Sequence, residues 1–312
     1  MQLKNSASGG KVTIIGAGQV GSTTAYSLIA GNTCEEIAII DLNQKMAKAQ
    51  VMDLQHSTPL WGFTKVKLGS YDDVADSKIV IICAGAAQNV GMSRLALVKT
   101  NSAVIKEIMP KIFRANPKAI VILISNPVDI LTYLAIKQFP AKKNQIFGSG
   151  TTLDSTRFKL LIGHELKVSP ESIHAYIVGE HGDSEVALWS TADVGSAPID
   201  QFKKISAAKK QKIFTTARNA AYAIIEGKQF TNFGIAAVVN KMVRAVLEDK
   251  KTVFPVSHLL TGEYGISGVA LSLPAVIGSA GIIKKITPKI SPAELARLKK
   301  SAAGLKKIIG QL

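Results

Sequence analysis

The first half of the chain alternates short apolar runs with longer helix-like segments, and this alternation restricts the possible folds more than any other feature. Four runs that are rich in Val and Ile have the length of strands, at residues 12–15, 37–40, 79–83 and 119–125. Because continuous apolar runs are buried on both faces, they are typical of parallel strands joined by crossover helices. A covering helix, expected to bend near Pro110, lies between the last two runs. The pattern predicts a doubly wound α/β sheet.

The second half has a less regular pattern. Helices are expected near residues 151–163, 207–226 and 235–247, and strands near 173–178, 253–260 and 269–273. This mixture predicts an α+β domain. Ser291 and Glu294 form a capping box at the start of an amphipathic helix that closes the chain, with Pro292 in its first turn. We expect the domain boundary near 148–150, so that the first domain covers residues 1–148 and the second 149–312.

Three glycines follow the first apolar run and precede a helix-like segment. Gly16, Gly18 and Gly21 have the spacing G-x-G-x-x-G, which permits a tight turn and a close approach of the backbone to a pyrophosphate. Asp41 follows the next run, 25 residues after Gly16, where a carboxylate accepts hydrogen bonds from ribose hydroxyls and repels a 2'-phosphate. An ordinary glycine turn with a surface Asp is the alternative. The combination favours a Rossmann-type domain that binds NAD rather than NADP.

Composition restricts the partners and the compartment. The chain has 312 residues, of which 47% are hydrophobic, but its longest apolar runs are too short to cross a membrane, and its first ten residues do not resemble a signal peptide. With only Cys34 and Cys83, we expect a reducing compartment, the cytoplasm. The formal charge of +16 attracts anions, but no nucleic-acid motif accompanies it. We therefore expect a small-molecule substrate and neither a membrane nor a specific nucleic acid as partner.

Three polar residues of the second half are candidates for catalysis. His181 stands in G-E-H-G-D, an irregular segment after an apolar run, where one imidazole can act as general acid and base. Asp154 and Arg157 lie three residues apart, which places them on one helix face. The alternatives are a structural histidine and a routine surface ion pair. The residues alone leave this choice open.

Seven stretches together resemble the L-lactate/malate dehydrogenase family over nearly the full length of the chain. In chain order they are VTIIGAGQVGS, IIDLN, AGAAQNVGMSRLALV, ISNPVDILTY, GSGTTLDSTRF, VGEHGDSEV and LPAVIG. Their order and spacing match the family, which makes the resemblance more specific than any single motif. It implies an NAD-dependent oxidoreductase that transfers hydride reversibly between NADH and pyruvate to give L-lactate and NAD.

The resemblance also implies a role for each matching residue. His181 would donate and accept the proton, and Asp154 would fix its tautomer and favour its charged form. Arg157 would grip the substrate carboxylate with its planar guanidinium. Arg94 would polarise the reacting carbonyl when its loop closes, and Asn126 would hold both substrate and nicotinamide.

The predicted cofactor site combines the glycine motif with later residues, and no metal is expected. Its members are Gly16, Gly18, Gln19, Val20, Gly21, Asp41, Gly85 and Asn126.

Substrate choice is expected to depend on Gln88. Malate dehydrogenases have an arginine at the matching position, which pairs with the second carboxylate of oxaloacetate, whereas a neutral glutamine favours pyruvate. Thr231 matches a small residue that suits the methyl group of pyruvate. Met92 departs from many lactate dehydrogenases, and G-M-S-R is closer to the malate type. A malate dehydrogenase or a broader L-2-hydroxy-acid dehydrogenase is therefore the alternative.

A non-catalytic dinucleotide-binding regulator is a second alternative, from another class of protein. It would keep the glycines and Asp41 but would have no need for His181, Asp154 and Arg157 together.

Regulation and assembly are implied only by the resemblance. Many bacterial members of the family respond to fructose 1,6-bisphosphate through an arginine and a histidine, whose matching positions here are Lys159 and His174. Because lysine lacks the two-pronged geometry of arginine, we expect weak activation or none. A homotetramer or a dimer is expected.

Overall fold

The computed structural model describes residues 9–86 and 94–312. Strands and helices alternate in the first half, as the apolar runs predict. The strands are β1 (Lys11–Ile15), β2 (Glu36–Ile40), β3 (Lys65–Leu68), β4 (Ser77–Ile82), β5 (Ile120–Leu123) and β6 (Ile146–Gly148). The helices are α1 (Gln19–Ala30), α2 (Gln44–Trp61), α3 (Arg94–Ala115) and α4 (Val128–Gln138). The helix α3 continues through Pro110.

Helices and short strands are mixed in the second half. The helices are α5 (Thr152–Leu166), α6 (Ile199–Phe202), α7 (Ala207–Lys228), α8 (Phe233–Leu247) and α9 (Pro292–Ile309). The strands are β7 (Ile173–His174), β8 (Ile177–Val178), β9 (Val186–Ala187), β10 (Asp193–Val194), β11 (Ala197–Pro198), β12 (Thr252–Thr261), β13 (Ser267–Gly278) and β14 (Gly281–Lys285). The capping box of α9 forms as predicted, since the Ser291 hydroxyl accepts from the Glu294 backbone and the Glu294 carboxylate accepts from the Ser291 backbone.

One sheet of nine strands runs through the molecule, in the order β14-β13-β12-β6-β5-β4-β1-β2-β3. The six strands from the first half are parallel, and every residue of β1 is buried, which confirms the doubly wound sheet with two covered faces. The order in which successive strands are added to the sheet reverses between β1 and β4, although the two strands are parallel. Ligands bind at such a switch point in open α/β sheets.

The sheet also receives strands from the second half. The strand β12 pairs antiparallel with β6 through Ser257 and Gly148, and β13 and β14 follow at the edge. The chain passes from β6 to α5 at the boundary expected near residues 148–150, but this boundary stays a prediction because the two halves share one sheet. No helix among residues 9–86 and 94–312 combines the length and the apolar character needed to span a membrane.

One strand prediction of the second half is wrong, and another is too short. The run 173–178 is not one strand, because β7 pairs with β10 whereas β8 pairs with β9 in another sheet. The candidate at 269–273 is the middle of the longer strand β13, which pairs along its length with β12 and near its end with β14. Neither β3 nor β6 is predicted from the sequence.

Candidate active site

The glycine turn after β1 has a conformation that larger residues cannot adopt. Gly16 has a φ of +108°, and a Cβ atom there would lie 2.6 Å from the backbone nitrogen of Ala84. A Cβ atom on Gly21 would lie 1.8 Å from the carbonyl oxygen of Gly16. The turn therefore brings α1 against β1 and leaves the first N–H groups of that helix, whose first turn has no acidic side chain, available to a phosphate.

A cavity of about 760 Å³ lies at the carboxyl ends of the parallel strands. Four of the predicted cofactor residues line it, namely Gly16, Gly18, Asp41 and Gly85. Three others, Gln19, Val20 and Gly21, lie in the first turn of α1, directly after Gly18. The cavity thus joins the glycine turn to the carboxylate after β2, as the switch point of the sheet predicts.

Backbone N–H groups orient the carboxylate of Asp41. One oxygen accepts a hydrogen bond of 2.7 Å from Ala17, and the other accepts one of 2.8 Å from Asn43. Both oxygens keep further lone pairs for ligand hydroxyls. Apolar and aromatic residues that the sequence analysis did not predict line the same end of the cavity, among them Leu42, Met46 and Tyr71.

Asn101 links the cofactor cavity to the start of α4. Its side-chain amide accepts from the backbone of Ala86 at 2.7 Å and donates to the carbonyl of Asn126 at 2.7 Å. The side chain of Asn126 in turn accepts from the backbone of Val128 at 3.3 Å. Asn101 is buried within α3, and the signal that could have revealed it is an amide among the apolar positions of that helix.

A second link continues from α4 to the predicted acid and base. Asp129, in the first turn of α4, accepts a hydrogen bond of 2.7 Å from the backbone N–H of His181. Asp129 is buried, and burial raises its pKa to about 6. This residue is not among those predicted from the sequence, although an acidic side chain in the first turn of a mostly apolar helix was a signal for it. The first turn of α4 therefore lies between two sets of hydrogen bonds, one from Ala86 through Asn101 to Asn126 and one from Asp129 to His181.

The structure brings His181, Asp154 and Arg157 together. Nδ1 of His181 lies 2.6 Å from one oxygen of Asp154, whose other oxygen accepts from Arg157 at 2.9 Å. The carboxylate is buried, whereas the imidazole is partly exposed. The alternative of a routine surface ion pair is therefore wrong, because Asp154 is buried and also contacts the imidazole of His181, 27 residues further along the chain.

Charge pairing controls protonation in this cluster. The negative charge of Asp154 raises the pKa of His181 to about 9, and burial opposes this only in part. Burial would raise the pKa of Asp154, but the charges of His181 and Arg157 lower it. At neutral pH the pair is therefore an imidazolium and a carboxylate, which is the form that donates a proton.

Comparison with known proteins agrees with this geometry. Residues 10–148 match the NAD binding domain of lactate/malate dehydrogenases, and residues 151–312 match their alpha/beta C-terminal domain. The chain belongs to the lactate/malate dehydrogenase family. It is therefore an NAD-dependent oxidoreductase with NAD as its cofactor.

Individual relatives resemble the chain over almost its whole length. It is 42% identical over 310 residues to the L-lactate dehydrogenase of Acetivibrio thermocellus, with 97% of each chain covered. It is 40% identical to that of Thermus aquaticus, with 95% of this chain and 97% of the relative covered. The solved structure of the minor L-lactate dehydrogenase from Enterococcus mundtii has a TM-score of 0.93 and 36% identity, and the match covers 98% of this chain and 99% of that one.

The remaining predicted residues lie in several places. Thr231 and Arg157 line a common cavity of about 280 Å³ beside α5 and α8. Lys159 lines a different cavity, and His174 is an exposed residue of β7. Gln88, Met92 and the side chain of Arg94 lie outside the described residues, and α3 begins at Arg94. The roles that the family resemblance implies for these residues stay predictions.

Proposed function

We propose that this protein is an L-lactate dehydrogenase, which interconverts pyruvate and L-lactate with NADH and NAD. The observation that carries the proposal is the contact of one buried carboxylate with both an imidazole and a guanidinium, at 2.6 and 2.9 Å. This arrangement supplies a proton donor beside a cation for a substrate carboxylate. A non-catalytic dinucleotide-binding regulator would have no use for it.

The residues of the large cavity fit NAD. Gly16 and Gly18 let the backbone approach a pyrophosphate, the N-terminus of α1 is free of acidic side chains, and Asp41 offers oriented carboxylate oxygens to ribose hydroxyls. When bound, NADH supplies the hydride for reduction of the carbonyl carbon. We assign Gly85 and Asn126 to the nicotinamide end, where Asn101 holds the neighbouring backbone.

His181 handles the proton in this proposal. Its pKa of about 9 keeps it protonated at neutral pH, so that it donates a proton to the substrate oxygen during reduction of pyruvate. In the reverse direction the neutral imidazole accepts the proton of lactate. Asp154 holds Nδ1 and fixes the tautomer, while Asp129 holds the backbone of the same residue.

Arg157 binds the substrate carboxylate in this proposal. A guanidinium has five N–H donors, so the contact with Asp154 leaves others for a second carboxylate. Thr231 lines the same small cavity and limits the size of the substrate side chain. We assign to Arg94 the polarisation of the reacting carbonyl.

Pyruvate is the proposed 2-oxo acid because Gln88 carries no charge to pair with a second carboxylate. Enclosing an unpaired carboxylate costs several kcal/mol, which amounts to orders of magnitude in kcat/KM. The relatives described above are L-lactate dehydrogenases, which supports this choice. Because Met92 is apolar, larger 2-oxo acids are the competing substrates.

The decisive experiment compares pyruvate, oxaloacetate and 2-oxoisocaproate by the decrease in NADH absorbance. We expect the highest kcat/KM with pyruvate, and we expect His181→Asn to lower it by about a hundredfold or more, since the general acid is lost. His164→Asn, which alters an exposed histidine of α5, is the matched control. A preference for oxaloacetate would contradict the lactate assignment, and full activity of His181→Asn would contradict the mechanism.

We further propose a homo-oligomer, a tetramer or a dimer, that acts in the cytoplasm in glycolysis and fermentation. Large apolar side chains exposed on and around α2 support assembly; they include Met52, Leu60, Trp61 and Phe63. A light-scattering mass of a single 33.1 kDa subunit would refute it.

The response to fructose 1,6-bisphosphate is proposed to be weak or absent. Lys159 is a half-buried cation, and burial and the charge of Lys241 lower its pKa. A lysine also lacks the two-pronged geometry that suits a phosphate. Strong activation at micromolar effector would overturn this proposal.

A further inference from the structure

A second buried carboxyl group lies beside the His181–Asp154 pair. Glu185 is 5% exposed, and its Oε1 atom has no hydrogen-bond partner within the described part of the chain. One carboxylate oxygen of Glu185, one of Asp154 and a ring nitrogen of His181 all lie within 4.8 Å of one another. The proposed mechanism gives this group no role, although it lies within the cluster that handles the proton.

The backbone fixes Glu185 in this position. Its N–H donates to the carbonyl of Gly182 at 3.2 Å, and Val186, the next residue, pairs with Val178 in the sheet of β8 and β9. The turn that presents His181 therefore also presents Glu185 to the same cluster. A buried carboxylate oxygen without a hydrogen-bond partner is costly when the group is ionised, so the position requires either a proton or a compensating charge.

Asp154 and Glu185 compete for the available positive charge. Both oxygens of Asp154 contact a cation, since one meets His181 and the other meets Arg157. Two carboxylates at this separation do not both ionise readily, and the one with better partners keeps the charge. Asp154 is therefore the carboxylate, and Glu185 holds a proton at neutral pH.

The surrounding charges agree with this division. Burial and then the negative charge of Asp154 raise the pKa of Glu185 to about 8, against the opposing effects of His181, of Arg218 on α7 and of Arg157 on α5. In return, ionised Glu185 is one of the groups that raise the pKa of His181. Asp129 on α4 acts on His181 in the same direction.

We infer that Glu185 is a positioning residue for the proton of His181. It is neutral while His181 donates at neutral pH, and its ionisation at alkaline pH keeps the proton on His181 over a wider pH range. This inference rests on the proposed dehydrogenase function. It extends that function by assigning the alkaline limit of pyruvate reduction to two coupled groups rather than to the histidine alone.

The test is the pH dependence of kcat/KM for pyruvate in Glu185→Gln. Because glutamine cannot ionise, His181 should lose its proton earlier, and the alkaline midpoint should move down by about one pH unit. The ratio of variant to wild-type activity should then fall about fivefold further between about pH 7 and about pH 9. A purely structural defect would lower the whole profile without moving its midpoint.

Asp183→Asn is the matched control, because it also replaces a carboxyl group with an amide, at an exposed residue of the same turn. Its midpoint should equal that of the wild type. An unmoved midpoint in Glu185→Gln, or an equal movement in Asp183→Asn, would overturn the inference. Inactivity of the wild type with pyruvate would instead contradict the proposed function, so the two failures are distinguishable.

Infrared titration of the wild-type protein gives a second measurement that does not depend on folding of the variant. We expect the band of a protonated buried carboxyl group to disappear between about pH 7 and about pH 10, in the wild type and in Asp183→Asn alike. Absence of such a band at neutral pH would refute a proton on Glu185.

Discussion

Replacing Asp154 with Asn should lower the rate of pyruvate reduction much more at alkaline pH than at acidic pH. The carboxylate holds the pKa of His181 at about 9, against an ordinary value of 6.5. Without this charge and its hydrogen bond, burial offsets the smaller effects of Asp129 and Glu185, and the pKa returns to about its ordinary value of 6.5. At about pH 8 the protonated fraction of the imidazole then falls from about nine tenths to about three hundredths, a thirtyfold loss. At about pH 6 the same change removes only about a quarter of the protonated form.

The assay is kcat/KM for pyruvate from NADH absorbance across this pH range, for the wild type and for Asp154→Asn. The variant also loses the orientation of the imidazole, which lowers kcat/KM by the same factor at every pH. The informative quantity is therefore the ratio of kcat/KM in the variant to that in the wild type at each pH. We expect this ratio to fall by a further factor of about twenty between about pH 6 and about pH 8. A ratio that stays constant with pH would refute the view that the Asp154 charge sets the protonation of His181.

Two further predictions concern stability. His258 is fully buried in β12, and burial lowers its pKa to about 4, so on acidification the unfolded chain binds a proton before the folded chain does. The free energy of unfolding should therefore fall by about 2 kcal/mol between about pH 7 and about pH 5. In urea unfolding, His258→Gln should show a correspondingly smaller decrease, and equal decreases in the two proteins would contradict this. Gly21→Ala should lower the Tm by several degrees, because the new Cβ atom would lie 1.8 Å from the Gly16 carbonyl oxygen and such overpacking costs about 1–3 kcal/mol. Gly18→Ala should lower the Tm much less, because nothing lies within 4 Å of the new Cβ atom. Equal Tm values for the two variants would refute this reasoning.

The sequence predicts best where the determining contacts are local. The Val and Ile runs identify the buried parallel strands because strands buried on both faces need no polar alternation. The capping box of Ser291 and Glu294 forms as predicted because both partners lie within one turn. In contrast, the break between β7 and β8 depends on pairing with β10 and β9, and nothing within residues 173–178 indicates those partners.

The supporting residues of the site could not be predicted for the same reason. Asp129 and His181 are 52 residues apart, and Asn101 and Asn126 are 25 apart, so their contacts exist only once α3, α4 and the turn before β9 have packed. The family resemblance identified His181, Asp154 and Arg157 from their motifs. It did not identify Glu185, whose significance depends on the loss of solvent around it rather than on its neighbours in the chain.

The sheet shared by both halves has a mechanical consequence. Swinging the carboxyl-terminal half away from the amino-terminal half would separate Gly148 from Ser257 in the middle of a continuous hydrogen-bonded layer. It would also break two hydrogen bonds of 2.9 Å, one between Asn240 of α8 and Thr33 and the other between Asn232 and Thr23. Hinge opening between the two halves is therefore an energetically costly way to admit a substrate. We expect substrate entry and exit to depend instead on rearrangement of individual connecting segments, while the sheet stays rigid.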